Sequence, residues 1–293
     1  GGKIQRVTLG GAASDIPFRI ADDRAVIDPP RPAVEIAPDA FDTTIPRFAV
    51  VSPDGRTAVF ETLGKLYVKA LPDGTPRRLT GSDAGMELYP SFSRDGKRIA
   101  YVTWTDEGLG VIRTTSVSGG AGSAVTATPG IYRRPRFSPD GRSIVFEKGA
   151  SGNYLSGRYA QAPGVYLIAT AGGAMVRIAA DGNAPHFGAD NDRLFMTVFE
   201  EKMLKLISTD LNGEARRIHA SGDLLADYQV APDGKHLAFR ENWAAYVMPM
   251  TAGALAIGAG NAATAMPVIK ASDGGAALLG WTNSGAINWT LGP

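Results

Sequence analysis

The sequence predicts an all-β fold: a six-bladed β-propeller with four antiparallel strands per blade, the last blade closed by strands from both chain ends. Three observations carry this. A strand–turn–strand hairpin recurs along the chain, its spacing matches one propeller blade, and the two termini offer complementary halves of a blade. The clearest copy is PRFSPDGRSIVF, Pro135 to Phe146. Phe137 closes one apolar run. In Ser138-Pro139-Asp140-Gly141 the proline presets φ, the aspartate can bond its own backbone, and the glycine accepts positive φ without a Cβ clash. Ile144, Val145 and Phe146 then open a β-branched and aromatic run. Further copies are Ser52–Gly55 before Val59 and Phe60, Pro90–Gly96 before Ile99 and Tyr101, and Ala231–Gly234 before Leu237 and Phe239. Two degenerate copies run from Pro185 to Asn191 and from Gly280 to Gly285. The turn acids or their stand-ins, at 54, 95, 140, 190, 233 and 284, are spaced 41, 45, 50, 43 and 51 residues apart. That period is about the length of a four-stranded blade, a unit too small to bury its apolar face alone.

In chain order, residues 3–18 lack the Asp-Gly turn but resemble the segments on its C-terminal side in other units, Leu66–Leu79, Tyr166–Ile178 and Leu206–Ile218. Each is a strand, a Gly-containing turn and a short last strand. Residues 3–18 are therefore expected to supply the third and fourth strands of a blade, and residues 277–293 its first and second. Such closure removes free sheet edges. Residues 19–46 match no repeat. Asp22, Asp23, Asp28, Glu35 and the cluster Pro29-Pro30-Arg31-Pro32 indicate an extended surface connection, either a docking segment or a solvated linker. The five complete blades are expected at 47–80, 88–128, 133–179, 184–220 and 227–272. The third carries an insertion, Lys148–Gly164, between its second and third strands. The uncharged stretch Ala244–Ile269 reads as two strands joined by a loop. It is too weakly apolar for a membrane span.

Composition narrows the function classes. Thirty basic and 29 acidic residues leave a net charge of +1, no footprint for nucleic acid or an anionic membrane. There is no cysteine, so disulfide and thiolate chemistry are excluded. Gly1-Gly2-Lys3-Ile4-Gln5-Arg6 is followed by no apolar core, so no signal peptide is expected in this chain; a mature or excised piece would look the same. The histidines His186, His219 and His236 stand apart, unlike the clustered ligands of hydrolytic zinc. Nucleophile elbow, phosphate loop and dinucleotide fingerprint are all absent. The Asp-Gly pairs read as hairpin turns rather than calcium sites. No catalytic residue, metal ligand or cofactor is expected in this chain.

What remains is a binding site. In a propeller the loops entering the inner strands ring the channel mouth. The loops preceding the inner strands place Glu87, Tyr89, Tyr132, Arg133, Arg134, His186, Asp227 and Tyr228 as the candidate binding residues there. Tyrosine and arginine in one patch are typical of interaction hot spots.

The repeated hairpin Phe-Ser-Pro-Asp-Gly-x-x-Ile-x-Phe/Tyr resembles the TolB-type β-propeller family over nearly the whole chain. Such blades also precede the catalytic domains of prolyl-oligopeptidase-like and tricorn-like proteases. A narrower likeness lies in Tyr101–Gly108 (YVTWTDEG), in Gly2–Val7 and in Ile287–Pro293. It is similar to the propeller region preceding the metal-dependent hydrolase barrel of bacterial amidohydrolase-related proteins. The resemblance implies a non-catalytic accessory or substrate-access region, linked to or associated with a hydrolase domain. A divalent metal such as zinc would belong to that domain. The alternative is a free-standing propeller of the cell envelope that binds a peptide or protein. A third reading is the gating propeller of a serine peptidase. The implied location is periplasmic or secreted.

Overall fold

The computed structural model describes residues 2–31, 38–149, 162–250, 253, 255–256 and 266–291. The greater part of the Lys148–Gly164 insertion and of the loop within Ala244–Ile269, together with Glu35, lies outside them. The chain divides into two compact units, residues 1–42 and 43–293. Among the described residues no helix is long and apolar enough to cross a membrane.

The first unit contains β1 (Ile4–Arg6) and β2 (Ser14–Ile16), which pair antiparallel with Ile4 opposite Ile16. Asp15 accepts from Lys3 Nζ at 2.8 Å and Gln5 Nε2 at 2.7 Å. Both strands are exposed along their length.

The second unit is a propeller of five blades. The first is β3 (Arg47–Val51), β4 (Thr57–Thr62), β5 (Lys65–Ala70) and β6 (Arg77–Arg78). The second is β7 (Met86–Phe92), β8 (Arg98–Thr105), β9 (Leu109–Ser116) and β10 (Gly119–Ala124). The third is β11 (Tyr132–Phe137), β12 (Ser143–Lys148), β13 (Gly164–Ala169) and β14 (Val176–Ala179). The fourth is β15 (Asn183–Phe187), β16 (Leu194–Glu200), β17 (Met203–Thr209) and β18 (Arg217–Gly222). The fifth begins with β19 (Leu225–Val230), β20 (His236–Glu241) and β21 (Ala244–Pro249). β22 (Leu255–Ala256) then adds a parallel edge to β18, and β23 (Ile269–Lys270) completes the fifth blade beside β21. The chain ends in a two-stranded hairpin, β24 (Gly280–Trp281) and β25 (Ile287–Asn288).

The sixth blade expected from the sequence is not formed, and this corrects the blade count to five. Among the described residues, 3–18 pair among themselves, and β25 pairs with β24 alone. A short hairpin closes at little entropic cost, whereas joining the two ends requires closing a loop of the whole chain. The strand–turn–strand pattern of residues 3–18 satisfies either arrangement.

Successive blades stack through apolar clusters. Val59, Leu66, Ile99 and Tyr101 join the first two blades. Val102, Ile112, Ile144 and Phe146 join the second and third. Val145, Val165, Leu194 and Met196 join the third and fourth, and Phe195, Leu206, Leu237 and Phe239 the fourth and fifth. Ala238, Ala245 and Leu279 with Trp281 and Ile287 dock the terminal hairpin on the fifth blade. The hairpin reaches the first blade through Asn283 N–H, which donates to Pro53 O at 2.8 Å.

The recurring turns share one hydrogen-bond pattern. Ser52 Oγ donates to Asp54 Oδ1 at 2.6 Å, the same oxygen accepts from Arg56 N–H at 3.0 Å, and Thr57 N–H donates back to Ser52 Oγ at 2.9 Å. Ser93 with Asp95 and Ser138 with Asp140 repeat it. The following glycines, Gly55, Gly96, Gly141, Gly234 and Gly285, hold φ between 69° and 82°, where a side chain would strain the backbone. These serine and backbone donors hold the carboxyls of Asp54, Asp95 and Asp140 below the usual carboxylate range.

Candidate functional site

The inner strands β3, β7, β11, β15 and β19 enclose a central cavity of about 470 Å³, completed by residues 277–288 of the terminal hairpin. Each inner strand runs toward the turn of its repeat, Asp-Gly in four blades and Asp190-Asn191 in the fourth. The turns therefore ring one end of the channel, the turn face. The loops entering the inner strands and the hairpins between second and third strands ring the other, the entry face.

The sequence breaks each inner strand near its start. The register shifts between Arg47 and Val50, Leu88 and Ser91, Arg133 and Arg136, Asn183 and His186, and Leu225 and Asp227. Phe48, Tyr89, Arg134 and Ala184 sit at these bulges with φ of 48–56°. In three blades the next residue is proline, Pro90, Pro135 or Pro185, which has no N–H for the ladder. A bulge re-aims side chains, and all four bulged residues line the cavity.

The eight residues singled out from the sequence separate into two groups. Tyr89, Arg134, His186 and Asp227 line the cavity. The Tyr89 ring lies 4.5 Å from that of Phe48, centroid to centroid. Arg134 Nη1 donates to Glu147 Oε1 at 3.1 Å, and that oxygen also accepts from Ala184 N–H at 2.7 Å. Asp227 pairs with Arg240 at 3.3 Å. Burial pushes the Asp227 carboxyl up against the pull of Arg240, Arg134 and Arg136. His186 is buried, with Nδ1–H donating to Ala184 O at 2.9 Å and Nε2 accepting from Val230 N–H at 3.1 Å. Burial lowers its pKa to about 4, so it is neutral at pH 7 with both ring nitrogens engaged.

The other four are placed elsewhere. Glu87 is buried between the first and second blades, accepting from Leu66 N–H at 2.9 Å and from Thr80 Oγ1. Tyr132 and Tyr228 are buried within the blade stack. Their hydroxyls donate to Thr128 O at 2.7 Å and Leu204 O at 3.0 Å, and burial raises both phenols. Arg133 is exposed and is not among the cavity-lining residues.

Sequence reasoning passed over Phe48, Arg94, Arg136, Arg240 and Asn283, all of which line the cavity. Arg94 reaches from the second blade to the fourth and fifth. Nη2 donates to Gly188 O at 2.6 Å, and Nη1 to Ala189 O at 3.1 Å and Pro232 O at 3.3 Å. Asn283 Nδ2 donates in turn to Arg94 O at 2.9 Å. The turn face is thus cross-braced at its centre. The available signal was an arginine where the other turns carry Pro53, Pro139 and Pro232.

On the entry face Leu63, Phe199 and Trp243 are exposed on second-to-third-strand hairpins. Leu63 and Trp243 hold φ of 51° and 69°, an unfavourable region for bulky residues. The Arg240 guanidinium lies 6.0 Å from the Trp243 ring and links rim to cavity.

A profile of the TolB beta propeller domain matches residues 46–248. The chain belongs to the TolB beta propeller domain family. The Tol-Pal system protein TolB of Rickettsia massiliae is 31% identical over 81 residues, 28% of this chain and 18% of that relative's length. A TolB structure from Agrobacterium tumefaciens superposes with a TM-score of 0.60 at 16% identity, covering 84% of this chain and 90% of that one. TolB from Acinetobacter baumannii gives 0.54 at 19% identity, covering 78% and 54%. At these identities the structural likeness speaks for the fold. Among the described residues of this TolB-type propeller, no three His, Asp or Glu side chains group closely enough to hold a metal ion.

Proposed function

We propose that this TolB-type propeller is a non-catalytic binding module that seats a segment of a partner protein across its entry face. The observation that carries the reading is the exposure of Leu63, Phe199 and Trp243 on hairpins of the face that surrounds a cavity walled by Phe48, Tyr89 and arginines. Apolar anchors around a concave, partly charged cavity are the usual form of a recognition site. Asn242 and Trp243 form the two-residue turn between β20 and β21, both at positive φ, which carries the Trp243 ring at the tip of its hairpin. The Rickettsia relative is named as part of a Tol-Pal system, which agrees with work inside a protein assembly. A periplasmic or secreted setting is part of this proposal.

Peptides selected by display on the chain, then titrated against variants, test it. Trp243→Ala and Tyr89→Ala should each weaken binding at least about tenfold, as hot-spot truncations do. Lys97→Ala on the turn face should leave it unchanged. Equal affinity for both entry-face variants and the parent would reject the site. The finer reading, an accessory region of an amidohydrolase-like protein, rests on Tyr101–Gly108, Gly2–Val7 and Ile287–Pro293. Reading the gene in frame past Pro293 for a His-x-His motif tests that separately.

A further inference from the structure

Four arginines and one aspartate line the cavity, and three of the arginines are engaged. Arg94 is spent on three carbonyls, Arg134 on Glu147, and Arg240 on Asp227 and on Ala276 O at 3.3 Å. Arg136 is different. Among the described residues no side chain or carbonyl accepts a hydrogen bond or ion pair from its guanidinium. Burial and repulsion from Arg134 lower its pKa, and the Asp227 charge opposes them. His186 offers it nothing, since its acceptor nitrogen is taken by Val230 N–H. Two further cavity-lining residues carry buried donors without an acceptor, Nε of Arg240 and Nδ2 of Asn288. The cavity therefore holds a surplus of donors and a shortage of acceptors.

We propose that the channel contains a carboxylate-binding subsite centred on Arg136, with Arg134 and Arg240 flanking it. Arg136 is half-buried in the channel wall, so its unpaired guanidinium is open to an entering anion, while the buried Nε of Arg240 and Nδ2 of Asn288 each carry the cost of about 1–3 kcal/mol of a donor without an acceptor. The guanidinium fork matches a carboxylate in two parallel hydrogen bonds. Asp227 selects the charge: it leaves room for a single negative charge and repels a phosphate dianion. The subsite deepens the proposed seating of a partner segment, which would carry the carboxylate on an acidic side chain or at its C-terminus.

The test uses the intact chain labelled with 15N-arginine, at constant ionic strength. Acetyl-Asp-amide, its neutral isostere acetyl-Asn-amide, Gly-Gly-Gly with a free C-terminus and inorganic phosphate serve as probes. The Arg136 Nε–H signal is the one missing from Arg136→Lys. The carboxylate probes should shift it and bind at least tenfold tighter than acetyl-Asn-amide, and Arg136→Gln should abolish the difference. A response to acetyl-Asp-amide alone assigns a side-chain carboxylate, and one to Gly-Gly-Gly alone a terminal carboxylate; a response to both shows that the subsite takes either. Equal binding of the Asp and Asn compounds, retention of the preference in Arg136→Gln, or tighter binding of phosphate overturns the proposal. If Arg136→Gln does not fold, the Asp/Asn pair and the signal shift in the parent still decide it. Trp243→Ala separates the two levels: it should lose the partner segment and keep the carboxylate response.

Discussion

In the second-blade turn the Arg94 guanidinium donates to the carbonyls of Gly188, Ala189 and Pro232; that of Arg136, one position before the end of β11, donates to no described group. Arg94 leaves the turn after β7 and Arg136 the strand β11, one blade apart, and both line the same channel. The difference lies in what surrounds them. At the turn end the chain reverses tightly and presents bare carbonyls that converge on the axis. Within the strands the bulges turn Phe48, Tyr89 and Arg134 inward, and the charges that act on Arg136 are the side chains of Arg134 and Asp227. A saturated arginine braces a fold, whereas an unsaturated one keeps its hydrogen-bonding capacity for a ligand.

The largest effect should come from removing the brace. Arg94→Ala strips three charge-assisted hydrogen bonds and should cost about 3 kcal/mol in urea unfolding. Arg94→Pro is the sharper variant, because Pro53, Pro139 and Pro232 already occupy this place in sister turns. A loss with proline reports on the cross-channel bonds rather than on the turn. If both variants unfold within about 1 kcal/mol of the parent, the two arginines do not differ in the way described.

His186 holds in β15 the position of Arg136 in β11 and gives the next effect. Its pKa is about 4 when folded, against 6.5 for a free histidine. Between those values the unfolded chain binds more protons, so stability is fully present above about pH 6.5 and falls as the pH drops toward about 4. The loss across that window should be up to about 3 kcal/mol. Unfolding free energies of the parent and His186→Gln from pH 4 to 7 check it. An equal slope in the two would remove His186 as the cause.

The propeller class was legible because its signal is local. The bonds within Ser52, Asp54 and Arg56 span a few residues, and each copy declares itself independently. The blade count was not, because the strand signal of residues 3–18 is the same whichever partner they take. In the cavity, Asp227 and Gln229 line the wall while Tyr228 between them is buried in the core, as plain alternation requires. In β11 the bulge between Arg133 and Arg136 breaks that alternation, so Tyr132 packs inward while Arg134 and Arg136 face the cavity. The prolines at 90, 135 and 185 marked those bulges. Arg94 was visible only as a departure from proline, and its partners in two other blades had no signature in the sequence.

The smallest effect probes the turn face by repair. The fifth-blade turn has Ala231 where three others have serine, so Asp233 Oδ1 keeps its bond from Lys235 N–H at 2.8 Å but has no hydroxyl beside it. The backbone matches the sister turns: Ala231 N–H donates to His236 O at 2.9 Å, and Gly234 N–H to Ala231 O at 2.9 Å. Ala231→Ser should therefore place its Oγ between Asp233 Oδ1 and His236 N–H without moving the chain. Ala231 is buried, as is Ser52 in its turn, so the hydroxyl enters a space that already suits one. The gain should be about 0.5–1 kcal/mol, the net worth of a hydrogen bond with an ionised partner at a mostly exposed turn. Carboxylate binding at Arg136 should not change, because the repair lies in the turn of another blade. A change in both stability and binding would show that turn and channel are coupled.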